Sequence, residues 1–392
     1  MNPFRRISRI TRIMSILAVL PIVPLVASES ELVTVFGENQ PDGSVVLMAT
    51  SSHVIPVYLS VDLPRLVNLE SLVDLPFGIE LAPGATNQEL FVLRPTSDRG
   101  QLGYSLRYSF ARGNPYTVDH DDSYLYWFPF EHGTKHRLSQ GFGGQFSHYG
   151  ENEYAVDFEM PEGTEVFAAR GGVVAEVRED SNTGGRSAAY SVTGNYILVA
   201  HDDGSFGNYV HLRLNGAVVE PGDLVEPGDL LGYSGNTGRS SGPHLHFDVR
   251  IPTLDGRMQS IPFLFAGASG VAEPPQEGRF YYSYHPGGDP FEPILGRDIT
   301  MADYASYAMP IEAAPGVEVR VEQVDLTFLV FVQNGRENAT DVELNFQLVG
   351  MQSDAGTAMT VPVPARTELL ATILRPLPGA TRIQYGYSIR YR

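Results

Sequence analysis

The run Gly235-Asn236-Thr237-Gly238-Arg239-Ser240-Ser241-Gly242-Pro243-His244-Leu245-His246-Phe247-Asp248-Val249 decides how this chain is read. A turn rich in Gly and Ser ends at Pro243, and an alternating, strand-like segment begins at His244. Side chains at i and i+2 of a strand point the same way, so His244 and His246 share one face. Leu245, Phe247 and Val249 take the other face and can be buried. Two imidazoles held side by side on a strand, at the rim of a loop, suit a zinc site with one ligand and one acid–base group. A bare His-x-His also fits two ordinary core or surface histidines, so other segments must arbitrate.

The composition limits the classes. Forty Gly, 28 Pro and many short Val/Ile/Leu/Tyr/Phe runs predict turn-separated strands and a mainly β fold. At 392 residues the chain is long enough for two or three domains. A net charge of -19 argues against nucleic acid or an anionic membrane as partner. With no cysteine, a disulfide framework and any thiolate nucleophile or ligand are excluded. Arg5, Arg6, Arg9 and Arg12 precede an uncharged apolar stretch and then Ala27 and Ser28, the pattern of an export signal over residues 1–27. An uncleaved N-terminal anchor is the competing reading. No later segment reads as membrane-spanning, so the expected location is periplasmic, cell-envelope or secreted.

An internal repeat frames the chain. Leu93-Arg94-Pro95 and Tyr104-Ser105-Leu106-Arg107-Tyr108 return as Leu374-Arg375-Pro376 and Tyr387-Ser388-Ile389-Arg390-Tyr391. Upstream of the second copy, Val342, Leu344, Phe346 and Leu348 alternate with Asp341, Glu343, Asn345 and Gln347, as in a half-buried strand. Two similar small β-sandwiches are expected, at 28–113 and 316–392. Between them lie a linker (114–135), a chemistry-bearing domain (136–265) and a connector (266–315) with one short helix near 301–308.

Three more segments of the central region join the His-x-His strand. Ser147 to Phe158 carries His148, Glu153 and Asp157; Gly207-Asn208-Tyr209-Val210-His211-Leu212 carries another histidine; Val218 to Gly232 holds paired Pro-Gly-Asp turns. On a strand, Asp157 would face away from the core-facing Val156 and Phe158, which is costly unless the acid is paired, hydrated or metal-bound. Together these residues resemble the LytM/lysostaphin-type zinc metallopeptidases of family M23, over about 140–265.

The resemblance implies an antiparallel β-sheet metallopeptidase domain that cuts peptides of bacterial peptidoglycan with one Zn2+. It implies metal ligation by His246, Asp157 and an upstream residue, with His244 and His211 acting on substrate. One departure matters. The family's upstream ligand stands four residues before the aspartate, where this chain has Glu153; the nearest histidine, His148, is nine residues away. His148 on a longer loop is the expected ligand. Glu153 as ligand, or a degenerate site, are the competing readings.

The reading that follows is an exported zinc endopeptidase, with His244 as general base and His211 steadying the oxyanion, roles that could be exchanged. The alternative is a non-catalytic module of the same fold that binds the wall or activates another hydrolase. Biotinyl and lipoyl carriers share Val-x-x-Gly-Asp turns but need a hairpin lysine, and the one lysine here, Lys135, lies outside the turns. Asn195, Tyr209 and Ser234 are expected to be structural, with lining of a substrate groove as the competing reading. His201 is also expected to be structural, while the acids Asp119, Asp121 and Asp122 fit no complete calcium loop.

Overall fold

The computed structural model describes residues 12–17, 32–97 and 100–391. Strands dominate, and every helical turn among the described residues is 3-10. The export signal read over residues 1–27 lies outside the described residues, except that the backbone of Arg12–Leu17 pairs antiparallel with Gly103–Arg112. No helix among the described residues is long and apolar enough to cross a membrane. The chain forms two compact units, 1–288 and 289–392.

The first unit begins with a β-sandwich. One sheet holds Val33–Asn39, Val45–Ser51, Gln88–Pro95 and Leu69–Ser71, and the other includes Val57–Val67, Phe77–Leu81 and Gly103–Arg112. Along Val45–Ser51 every second residue is buried, the period-2 pattern of a strand with one covered face. Val35, Leu47, Leu59, Leu93 and Leu106 fill the space between the sheets.

The second unit repeats this topology. Val317–Val324, Thr327–Asn334, Thr367–Pro376 and Met351–Ser353 share one sheet, and Thr340–Val349 lies between Ala358–Val363 and Gln384–Tyr391 in the other. The register agrees in detail: Leu69 faces Pro95 as Met351 faces Pro376, and Val45 faces Leu93 as Phe328 faces Leu374. Both copies also slip at the same place. Leu47 faces Phe91 but Met48 faces Glu89; Val330 faces Thr372 but Phe331 faces Leu370. A bulge kept at one position in both copies marks a true structural repeat.

Two boundaries differ from the sequence expectation. Tyr126, Phe128 and Phe130, placed in the linker, are fully buried in the central core, and Phe280–Tyr282, placed in the connector, adds an edge strand beside Lys135–Gln140. Large aromatic side chains gain roughly 1.5–3 kcal/mol each on burial, which draws these flanks into the domain. The expected helix near 301–308 is only the 3-10 turn Met301–Tyr304. Beyond it, Tyr307 donates to Glu368, and Met309–Pro310 pairs as a strand with Glu368 and Thr367, which fixes an extended backbone.

The central domain is an antiparallel sheet ordered Leu224–Val225, Gly172–Arg178, Asn195–Ala200, Phe206–Ala217, His244–Pro252, Ala155–Glu159, Lys135–Gln140, Phe280–Tyr282. Val156, Phe158, Ile197, Val199, Tyr209, Leu245, Phe247 and Val249 enter its core. The opposite face is partly covered by the N-terminal sandwich, where Ile55 packs with Ala175, Leu198 and Phe206.

Candidate metal centre and active site

Strand register builds the site. His246 lies opposite Asp157 on one side and opposite Val210 on the other. Its Nδ1 stands 3.0 Å from Asp157 Oδ1 and its Nε2 2.9 Å from Asp248 Oδ2. Asp248 also accepts from Arg250 Nη2 at 2.8 Å and from Asn208 Nδ2 at 3.2 Å. An ionised carboxylate only accepts, so a protonated His246 donates from Nε2 to Asp248 and from Nδ1 to Asp157; a cation on the Asp157 side would take Nδ1 and leave the Nε2 proton hydrogen-bonded to Asp248.

His148 reaches the same point from a loop. Its Nδ1 donates to the Gly141 carbonyl at 2.8 Å, and its Nε2 lies 3.1 Å from Asp157 Oδ1. One atom from each of His148, Asp157 and His246 fits within 4.8 Å of the others, and all three residues are buried. Glu153 is exposed at the end of the 3-10 turn Gly150–Asn152 and is not part of this group. Two imidazole nitrogens and one carboxylate oxygen, with the far nitrogen of each ring engaged in a hydrogen bond, suit a zinc ion.

His211 and His244 line the same space. Their ring centroids are 4.6 Å apart, and His211 stands 5.7 Å from His246. His244 donates from Nδ1 to Gly242 O at 2.8 Å and turns Nε2 toward Asp157, 3.6 Å from Oδ1. His211 donates from Nδ1 to Thr237 O at 2.6 Å. Asn195 faces Leu212 while Tyr196 faces Val210, so His211 is the extra residue of a β-bulge, with φ at 67°. Bulges re-aim side chains, and a left-handed backbone at a residue other than glycine is strained. Gly238 leaves room for this ring: a Cβ there would stand 2.7 Å from Gly194 Cα and 3.3 Å from His211 Nδ1.

The electrostatics follow from burial and partners. Burial alone would raise the Asp157 carboxyl, but hydrogen bonds to His148 and His246 hold it well below the usual carboxylate range. Burial alone would lower His246, but Asp157 and Asp248 raise it to about 9. A proton on His246 offsets buried negative charge, work that a bound cation would take over. Burial, then His244 and His246, push His211 down to about 3.

Residues 151–259 match the model described as peptidase family M23. The central domain is an M23 domain. It is 33% identical over 135 residues to the peptidoglycan DD-endopeptidase ShyA of Vibrio cholerae, covering 33% of this chain and 29% of ShyA. It is 31% identical over 118 residues to the DD-carboxypeptidase/endopeptidase Mpg of Neisseria meningitidis, covering 29% of this chain and 24% of Mpg. This chain thus spans less than a third of the length of either relative. Among solved structures, the catalytic domain of lysostaphin from Staphylococcus simulans is 28% identical, covering 36% of this chain and 95% of that one, with a TM-score of 0.24.

The M23 domain opens beside its histidines into a groove of about 740 Å³, lined by His211, His246, Asn208, Tyr196 and, from the N-terminal sandwich, Arg112. A larger concavity of about 1040 Å³ on the C-terminal sandwich is lined by Asp341, Glu343, Arg390 and Tyr391 among others, with no histidine. The chemistry therefore belongs to the groove.

Asn195, Tyr209 and Ser234 are structural. Asn195 bonds the backbone of Ser181, Leu212 and Arg213; the Tyr209 hydroxyl accepts from Ala169 N; Ser234 bridges Thr164 and Pro161. His201 is buried with Nδ1 on Gly171 O, away from the M23 site. Asp121 caps Ser123, and the neighbouring acids join no metal group among the described residues. Sequence reasoning missed Asp248, although it continues the i, i+2, i+4 face of His244 and His246. It also missed the Thr237 carbonyl, which no local pattern announces.

Proposed function

We propose that this protein is an exported zinc endopeptidase that hydrolyses peptide bonds in peptidoglycan stem peptides or cross-bridges. The observation that carries the reading is the convergence of His148 Nε2 and His246 Nδ1 on one oxygen of Asp157, at 3.1 and 3.0 Å. The named activities of ShyA and Mpg support the substrate class.

In this reading His148, Asp157 and His246 hold the ion. When bound, zinc supplies Lewis acidity and a lowered pKa for water at its open position. His211 and His244 act on the substrate. The His211 ring keeps its Nδ1 proton on Thr237 O and leaves Nε2 free to face the substrate, and burial, which pushes it down to about 3, makes that nitrogen a weak base. His244 turns its Nε2 into the same space, 3.6 Å from Asp157 Oδ1, within reach of the reacting groups. Both rings donate from Nδ1 to a backbone carbonyl, so these hydrogen bonds leave the roles of general base and oxyanion donor exchangeable between them.

The test is stoichiometric zinc uptake together with cleavage of purified sacculi, both lost in His246→Ala. A folded wild-type protein that takes up no zinc and leaves sacculi intact would instead be a binding or activating module.

A further inference from the structure

The run Gln140-Gly141-Phe142-Gly143-Gly144 has no part in the roles assigned above, yet its polar groups surround His148. Gly141 O accepts from the His148 ring at 2.8 Å and Gly144 O accepts from the His148 backbone N at 2.9 Å. Gly143 N donates to Glu153 O at 2.7 Å, closing the far end of the same loop.

Gln140 links the two halves of the centre. Its Nε2 donates to Ser147 Oγ at 2.7 Å and to Asp157 Oδ2 at 3.0 Å, and its Oε1 accepts from Phe146 N at 3.2 Å. The amide has two N–H groups, so both donations are made at once. The side chain lies across Gly144, where a Cβ would stand 2.2 Å from Gln140 Cγ. From the other side, Arg239 donates to Phe146 O at 2.9 Å and to the Tyr149 hydroxyl at 3.1 Å.

We propose that Gln140 is a positioning residue of the metal centre, fixing with one amide both the loop that carries His148 and the Asp157 oxygen turned away from the two histidines. The inference rests on the zinc reading above. Its physical basis is preorganisation. His148 is set nine residues from Asp157, on a loop whose next residue, Tyr149, is 59% exposed. A loose loop would have to be ordered each time an ion binds, and that cost would be subtracted from affinity. With Oδ2 engaged by Gln140, Asp157 presents Oδ1 alone to the histidines.

The test uses the full chain, with Gln140→Met keeping length and bulk but removing the amide. Zinc affinity is measured by competition with a chelating dye, and coordination by the visible spectrum of the Co2+-loaded protein. Zinc should bind about 10–100-fold more weakly, with an altered Co2+ spectrum, in a variant that still folds without metal at a somewhat lower melting temperature. Ser147→Ala, which removes only the loop-side bond, should shift affinity in the same direction by less. If Gln140→Met does not fold, Ser147→Ala and Gln140→Asn, whose amide is too short to span both partners, carry the test. Wild-type affinity and spectrum in the soluble variants would overturn the role of Gln140 and leave the zinc reading standing. A wild-type protein that binds no zinc would overturn the zinc reading itself, and the role of Gln140 with it.

Discussion

One ring of His246 links two buried carboxylates, with Nε2 2.9 Å from Asp248 Oδ2 and Nδ1 3.0 Å from Asp157 Oδ1. Asp248 thereby sets which nitrogen of His246 carries the proton and which can bind a cation. Arg250 and Asn208 hold Asp248 in turn.

Asp248→Asn should weaken zinc binding about 10–100-fold. Arg250 would claim the amide oxygen, turning the NH2 group toward His246 and forcing the ring proton onto Nδ1. Chelator competition reads the affinity, and an unchanged value would refute this account of the tautomer.

His148→Ala should abolish stoichiometric zinc, whereas Glu153→Gln should leave it intact, because His148 and not Glu153 joins Asp157 and His246. Elemental analysis of the purified variants decides between them. Zinc lost from Glu153→Gln alone would contradict the geometry.

His211→Ala should lower sacculus cleavage about 10²–10⁴-fold while zinc is retained, the range expected for loss of one acid–base group. Alanine keeps a Cβ on the backbone at φ 67°, so His211→Ala should lose stability, and His211→Gly, which relieves that strain, should lose less. Denaturant unfolding alongside kinetics separates the two effects.

The pH dependence of stability should carry a signature remote from the candidate metal centre. Burial pushes His201 down to about 4 from an ordinary 6.5, and His53 likewise to about 4. As the pH falls from 6.5 to 4 the unfolded chain therefore takes up protons that the folded chain refuses, and stability declines across that window. His201→Asn should make the decline shallower in melting temperature against pH. An unchanged slope would show that His201 is not the source.

Ile55→Ala should cost about 2–5 kcal/mol, the usual range for emptying a buried aliphatic site. Ile55 is 3% exposed and packs with Ala175, Leu198 and Phe206 of the M23 sheet. Calorimetry should also show the N-terminal sandwich and M23 domain melting less cooperatively. Wild-type stability would mean that this contact is not a coupling element.

The face shared by His244 and His246 was legible in the sequence because strand periodicity alone sets which side chains point together. The return of Leu93-Arg94-Pro95 as Leu374-Arg375-Pro376 likewise announced the repeat, and the alternation through Phe346 announced one of its strands. Asp248 was legible on the same rule and was overlooked. The aromatic flanks Phe128 and Tyr281 were not legible as core, because nothing local to them names the surface that buries them.

Local periodicity and turn chemistry thus determined the strands, the repeat and the His-x-His face, since these depend on neighbours a few residues apart. Tertiary structure decided that His148 rather than Glu153 meets Asp157, that a bulge aims His211 at His244, and that a sandwich caps part of the sheet. Those outcomes depend on loop closure and on packing between segments far apart in the chain, where sequence spacing fixes no distance.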